Sequence, residues 1–363
     1  MRSNKCLYIT LQPMVQGDGA SDKAIAQKNA ISNIGIECHM VYLTAGESGM
    51  FLYLDGEKVV EIHRYKEIFG PLFEIVLSLD VSTIYLRYVV MATYDFNKFL
   101  KLSKARGIKI YLEIPTYPYD GEADLSSFKR AYGIYRERLY RRFLHKYVYR
   151  IVTYSLDKVI FGAPTVQLSN APARALPVTK SVRDSASFRM IAVANLAFWH
   201  GYDRLIKGMA DYYNDNPTVK VHFTIIGKGN EVVYNELKDL VEKAGLNEYV
   251  HFEGQKVNLE LDHYFDNSDF AIGCLGCHRK NIYEVKSLKN VEYAMRGIPF
   301  AYSESNSDFD DKPYVLRVPA DESNINVQHL IDFANQLKIT AQDISLTVKD
   351  YTWDNQMKKV FFG

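Results

Sequence analysis

The chain reads Phe270-Ala-Ile-Gly-Cys274, then a loop, then Glu284-Val-Lys-Ser-Leu-Lys-Asn-Val-Glu292-Tyr-Ala-Met-Arg-Gly297-Ile-Pro299. The first run is short and apolar, as a buried strand is. Ser287 can cap a helix that starts at Leu288 and runs to Arg296, and Gly297 and Pro299 punctuate its end. Pro299–Tyr302 is a second apolar run. Strand, helix, strand in this order predicts a parallel β-α-β unit.

The same rhythm extends on both sides. Towards the N-terminus, Phe188–Ala194 predicts a strand, Tyr202–Tyr212 a helix, Val219–Ile226 a strand, Tyr234–Ala244 a helix, Val250–Phe252 a strand and Leu259–Phe265 a short helix. The stretch Asn170–Ser187 is rich in Ala, Pro and Ser and reads as a linker. Before it, strands are predicted at Cys6–Leu11, Glu37–Leu43, Val59–Arg64, Thr83–Arg87, Lys109–Ile114, Lys158–Ile160 and Val166–Leu168, with helices at Asp22–Ile34 and Phe96–Ala105. Ser127–Val152 carries apolar residues every three or four positions and predicts one long helix. Helices near Val327–Gln336 and Trp353–Val360 close the chain.

The predicted fold class is therefore α/β, with two Rossmann-like domains whose parallel sheets face a central cleft. The N-terminal domain covers 1–170, and the C-terminal domain 186–345. The last helix, about 346–363, returns to the first domain. Open α/β sheets bind ligands outside the carboxyl ends of their strands.

Composition narrows the function. The 363 residues are 47% hydrophobic and 24% charged, enough to bury two cores. A net charge of +1 gives no global argument for nucleic acid. Four cysteines, Cys6, Cys38, Cys274 and Cys277, are too few for a disulfide framework, and Cys274 and Cys277 lack a second pair for zinc. No apolar run is long enough to span a membrane. The expected location is the cytosol or its membrane face. The long basic helix Ser127–Val152 has two readings: attachment to an anionic membrane surface, or a solvated helix whose aromatic side packs on the sheet.

The helix start at Ser287, Leu288 and Lys289 directs N–H groups and partial positive charge at whatever lies beyond it, which suits a diphosphate, and Lys286 and Lys289 add charge. Glu292, little more than a turn on, can accept two vicinal ribose hydroxyls. Glu284 on the loop can reach a sugar.

These residues carry a resemblance. Two glutamates separated by seven residues and followed by Tyr-Ala-Met-Arg-Gly-Ile-Pro look like the corresponding region of family-4 retaining GT-B glycosyltransferases, glycosyl transferases group 1. The resemblance implies that Glu284 faces the donor sugar and Glu292 the nucleotide ribose. Ile191-Ala-Val-Ala-Asn195-Leu-Ala-Phe-Trp-His200-Gly201 resembles the opening of that family's donor domain, with Asn195 and His200 where the family carries a phosphate-gripping Arg and Lys. His200 would serve best protonated, and Arg204, Lys228, Arg279 and Lys280 are candidates to replace the lost charge. Gly227-Lys228-Gly229 resembles a strand end where bare backbone lets the donor approach, and Gly17-Asp18-Gly19 a glycine-rich first loop. After the strand Lys109–Ile114 the family's histidine is missing. Glu113, Thr116, Tyr117 or Asp120 could line the site instead, and Asp120 is taken as the catalytic candidate beside Glu284 and His200.

The resemblance implies retaining transfer from a nucleotide diphosphate sugar to a glycan, lipid-linked or other hydroxyl acceptor, with no bound metal or other cofactor and no nucleic acid partner. Two rivals use the same fold: a sugar-nucleotide epimerase, and a non-catalytic nucleotide-sugar-binding subunit of a transferase complex.

Overall fold

A computed structural model of the chain describes residues 4–15, 19–46, 49–120, 127–180, 184, 186–256 and 258–363, apart from the side chains of Lys129 and Asn258. The chain divides into two compact units, one of residues 1–169 with 352–363 and one of residues 170–351.

In the first unit the strands are β1 (Lys5–Pro13), β2 (Glu37–Ala45), β3 (Met50–Leu54), β4 (Glu57–Ile62), β5 (Thr83–Arg87), β6 (Lys109–Ile114), β7 (Arg150–Thr153), β8 (Val159–Ile160) and β9 (Ala163–Gln167). The helices are α1 (Gly19–Asn33), α2 (Phe69–Ser78), α3 (Tyr94–Ala105) and α4 (Phe128–Arg141), followed by the C-terminal helix Trp353–Phe362. The sheet order is β4-β3-β2-β1-β5-β6-β7-β9-β8. Strands β2, β1, β5, β6, β7 and β9 run parallel, β3 pairs antiparallel with both β2 and β4, and β8 pairs antiparallel with β9. The central strands are buried on both faces because helices cover both: Leu7, Ile9, Ile84, Leu86, Ile110 and Leu112 on one face, and Cys6, Tyr8 and Tyr85 on the other, are all fully buried.

Two details differ from the sequence reading. Strand β3 is additional to the predicted strands, although Asp55-Gly56 between β3 and β4 is a strong hairpin signal. Both residues take positive φ, as a two-residue turn of this hand requires. The long helix expected over Ser127–Val152 ends at Arg141. Leu144–Lys146 makes one 3₁₀ turn, and Ile151 and Val152 then pair with Leu112 and Glu113 of β6. The spacing of Tyr147 and Ile151 fits either a helix or a turn entering a strand, and the unfilled edge of β6 decides it.

The C-terminal helix opens on Thr352, whose hydroxyl accepts the Asn355 N–H. It packs beside α1, burying Trp353, Met357 and Val360. Phe361 sets its ring against Tyr111, with centroids 5.3 Å apart.

The second unit carries six parallel strands in the order β12-β11-β10-β13-β14-β15. They are β10 (Ser187–Val193), β11 (Lys220–Ile226), β12 (Val250–Gly254), β13 (Phe270–Ile272), β14 (Phe300–Tyr302) and β15 (Val315–Arg317). The helices are α5 (Tyr202–Asn214), α6 (Glu231–Lys243), α7 (Asn258–Asp266), α8 (Leu288–Met295), α9 (Val327–Gln336) and α10 (Ala341–Leu346). The chain leaves β10 towards β11 and β12, then crosses back to place β13 on the other side of β10. The order reverses there, so the loops after β10 and after β13 diverge and leave a crevice at their carboxyl ends. The Leu275 N–H donates to the His200 carbonyl at 2.9 Å and ties these two loops together.

Helix α5 lies very close to the chain that leads into α9. A Cβ placed on Gly208 would stand 1.9 Å from the Ile325 carbonyl oxygen. Gly208→Ala is therefore expected to destabilise the second unit by about 2–3 kcal/mol through forced backbone displacement. Thermal unfolding followed by circular dichroism reads this directly, and an unchanged Tm would refute the close packing.

Candidate donor site of the second unit

The crevice is built from three segments: the loop after β10, the end of β11, and the loop from β13 into α8. Asn195, two residues past β10, is exposed. Leu196 bridges to Gly229, its N–H donating to the Lys228 carbonyl at 2.5 Å. A Cβ on Gly227 would lie 1.8 Å from the Ala194 carbonyl oxygen, and one on Gly229 would lie 2.3 Å from Leu196 backbone atoms. Both glycines also take positive φ. They are bare because the two strand ends cross in contact, which gives Gly227 a reason that does not involve a ligand. The Lys228 side chain is exposed.

His200 ends a single 3₁₀ turn and is buried. Its Nδ1 accepts the Ala197 N–H at 3.1 Å, and its ring stacks on Tyr202. Burial, then the nearby charge of Lys289, pushes its pKa down to about 2. The expectation of a protonated histidine is thereby corrected. An Nδ1 that accepts a backbone hydrogen bond belongs to a neutral ring, whose remaining polar atom, Nε2–H, is a donor.

Arg204 is also corrected. Its side chain is fully buried, and its Nε donates to the Ser323 carbonyl, Nη1 to the Leu275 carbonyl and Nη2 to the Pro319 carbonyl. Asp321 lies 3.4 Å away. This guanidinium clamps backbone and presents no donor to a phosphate. Arg279, the other arginine considered, forms ion pairs with Asp203 at 2.9 Å and Glu322 at 2.6 Å. Lys280 sits over the Trp199 ring, 4.0 Å from its centroid.

The loop into α8 is fixed by a short parallel bridge between Glu284 and Ser305. The Val285 N–H donates to the Ser305 carbonyl, and the Ser305 N–H to the Tyr283 carbonyl, both at 2.9 Å. Lys286 turns away from a donor role and pairs with Asp308 at 2.8 Å, both side chains being largely buried. Ser287 occupies the N-cap position, but its hydroxyl makes no capping bond. The first-turn N–H groups at Leu288 and Lys289 thus keep no side-chain cap from it.

Lys289 is different. Its Nζ is buried and has no hydrogen-bond partner among the described residues. Its charge bears on His200, Cys274 and Glu292. The half-buried Glu292 carboxyl is pushed up by burial, against the pull of Arg296, Lys289 and Arg174. Lys289, Glu292 and His200 are thus brought together, whereas Arg204 and Lys286 are held elsewhere. Beside them, the Cys274 thiol is drawn down to about 7, first by a hydrogen bond from Cys277 and further by Lys289.

In the first unit, Gly17 lies outside the described residues and Gly19 opens α1. Asp120, the catalytic candidate of this unit, is engaged by protein cations. It makes ion pairs with Arg138 at 3.0 Å and Arg141 at 2.9 Å, and Arg141 holds its pKa below the usual carboxylate range. It fastens α4 through these two pairs. Glu113 is fully buried and accepts from Tyr85 at 2.6 Å, Gln27 at 2.9 Å and Tyr154 at 3.2 Å, with Lys23 at 3.5 Å. Burial brings the Lys23 pKa down to about 8. Sequence reasoning missed Lys23 and Gln27. The available signal was a lone carboxylate inside the apolar run Lys109–Ile114, which demands buried donors.

Two measurements check these assignments. Arg204→Met should cost about 3 kcal/mol of stability, because it strands buried carbonyls, and a variant that keeps its Tm but loses nucleotide binding would contradict the clamp. For His200, the folded pKa of about 2 lies below the ordinary 6.5, so an unfolded chain takes up a proton that the folded chain refuses, and stability is lost as pH falls below 6.5. The Tm advantage of wild type over His200→Asn should therefore shrink between about pH 7 and about pH 5. A gap that widens on acidification would mean a protonated His200.

Comparison with known proteins agrees with this geometry. Residues 179–307 match the family model of glycosyl transferases group 1. No curated protein matches the sequence. Among solved structures, a glycosyltransferase from Rickettsia africae superposes with a TM-score of 0.65 at 10% identity, covering 100% of this chain and 98% of that one. A sucrose-phosphate synthase from Thermosynechococcus elongatus gives 0.67 at 11%, covering 99% and 98%. Anabaena HepE in complex with UDP gives 0.59 at 10%, covering 99% of each. At such identities the likeness is one of fold. With the family match over the second unit, it places on this chain the two Rossmann-like domains of the GT-B fold and, in residues 179–307, a glycosyl transferases group 1 domain.

Proposed function

We propose that this chain is a retaining glycosyltransferase that moves a sugar from a nucleotide diphosphate sugar to a hydroxyl acceptor, glycan or lipid-linked, in cell-surface polysaccharide or glycoconjugate synthesis, without a resident metal. The observation that carries the proposal is the buried Nζ of Lys289 in the first turn of α8, which has no hydrogen-bond partner among the described residues. A buried ammonium is costly unless an anion meets it. A diphosphate supplies that anion and also suits the first-turn N–H groups. Glu292 follows within one turn, where its carboxylate would accept the ribose hydroxyls. Glu284 would face the transferred sugar, as the family resemblance implies.

In this reading the chemistry is mainly electrostatic. As the glycosidic bond lengthens, negative charge grows on the leaving diphosphate oxygens. Lys289 and the α8 N-terminus would stabilise that charge. The neutral His200 would contribute its Nε2–H as a donor. The UDP bound to Anabaena HepE belongs to the same ligand class. One observation favours a second reading, the non-catalytic nucleotide-sugar-binding subunit: Arg204, Arg279 and Lys286 are all engaged with protein groups, leaving fewer cations for a leaving group.

A thermal-shift screen with UDP, GDP, ADP and CMP tests the ligand class, since a ligand that binds only the folded chain raises its Tm. One nucleoside diphosphate should stabilise the wild type. Lys289→Met and Glu292→Ala should bind it about ten- to a hundredfold more weakly, while Glu284→Gln keeps binding and loses turnover. With the matching nucleotide sugar, NMR of the first-formed glycosyl product should show the donor's anomeric configuration, and an inverted product would sink the retaining mechanism. Absence of a shift with every nucleotide would overturn the ligand assignment, and binding with no transfer or hydrolysis would favour the binding subunit.

A further inference from the structure

Helix α4 presents an apolar stripe to solvent. Phe128 is 89% exposed, Tyr132 60%, Tyr135 65% and Leu139 53%. At about 100° per residue these four side chains fall within about 60° of one another. The opposite face is the one that packs. Glu137, half a turn away, is buried and accepts from Tyr88 at 2.5 Å and Tyr119 at 2.7 Å. The aromatic side of the helix therefore does not pack on the sheet, which removes one of the two readings of this segment. Scattered exposed apolar residues need no explanation, but four in one stripe mark a surface built for contact.

Charge identifies what it contacts. From Ser127 to Arg150 the sequence has eight Lys and Arg against the single acidic Glu137. The whole chain is only +1, so everything outside this segment is net negative. Arg138 and Arg141 are paired with Asp120, and Arg136, Arg142 and Lys146 are exposed. Arg136 and Arg142 flank the apolar stripe on its two sides. Glu137 faces inward, so the helix shows no acidic group to solvent.

We propose that α4 is a docking surface for an anionic lipid bilayer, lying in the interface with Phe128, Tyr132, Tyr135 and Leu139 among the headgroups and upper acyl chains and the arginines on lipid phosphates. A second copy of the chain is the poorer occupant, because a two-fold contact through this stripe sets the same arginines against each other. The inference does not depend on the donor-site assignment.

The test is co-sedimentation of the full chain with vesicles of phosphatidylcholine alone and of phosphatidylcholine with phosphatidylglycerol. Wild type should bind the anionic vesicles, more weakly as salt is raised, and leave the neutral ones. Arg136→Gln/Arg142→Gln and, separately, Phe128→Ser/Tyr132→Ser/Tyr135→Ser should each reduce binding at least about tenfold. All five positions are exposed, so both variants should keep the wild-type Tm and circular dichroism. No binding to anionic vesicles, or binding that both variants retain, would overturn the proposal. So would light scattering that shows a dimer lost in the serine variant.

Discussion

The second unit depends on one buried guanidinium. Arg204 rises from the first turn of α5 and binds the carbonyls of Leu275, Pro319 and Ser323. Those carbonyls belong to the loop after β13 and to the chain between β15 and α9. Two segments distant in sequence are thus held to one helix by a group with donors only. The carbonyls would otherwise be buried without partners, and the arginine without counter-dipoles, so each side requires the other. The Leu275 N–H, on the same residue, holds the His200 carbonyl. The rigid floor of the crevice follows from this pair of contacts.

On that floor, charge is sorted by burial and partner. Lys286 and Arg279 are neutralised by Asp308 and by Asp203 with Glu322, which leaves them structural. Lys289 is three residues from Lys286 yet points its ammonium at no protein acceptor among the described residues. Its field opposes a charge on His200, favours one on Cys274 and pulls against the burial that raises Glu292. An anion arriving beside Lys289 would relieve the cost of its burial.

The first unit solves a related problem by networking. Glu113 sits within a parallel sheet that tolerates no unpaired carboxylate. It is met by Tyr85, Tyr154, Gln27 and Lys23, so α1 is fixed to β5 and β6 through polar contacts as well as apolar ones. On α4, Glu137 plays the corresponding part with Tyr88 and Tyr119. Anchoring the helix by its acidic face is what leaves its aromatic and basic residues turned outward.

The alternation of apolar runs with amphipathic ones determined by itself that the chain forms two parallel-sheet domains, because a strand apolar on both faces has no other stable setting. The two glutamates and the turn at Gly297 and Pro299 determined where α8 lies and which residues share its first turns. The tertiary structure alone decided which charges are available. Arg204, Lys286 and Lys289 are equivalent as cations in the sequence, and only the partners that folding brings, carbonyls for the first, Asp308 for the second and none described for the third, distinguish them. The end of α4 was likewise decided by the open edge of β6, since Tyr147 and Ile151 satisfy a helical period and a strand entry equally well. Local periodicity is blind to a partner supplied from far along the chain, and hydrogen bonding and ion pairing at a distance are what fix both.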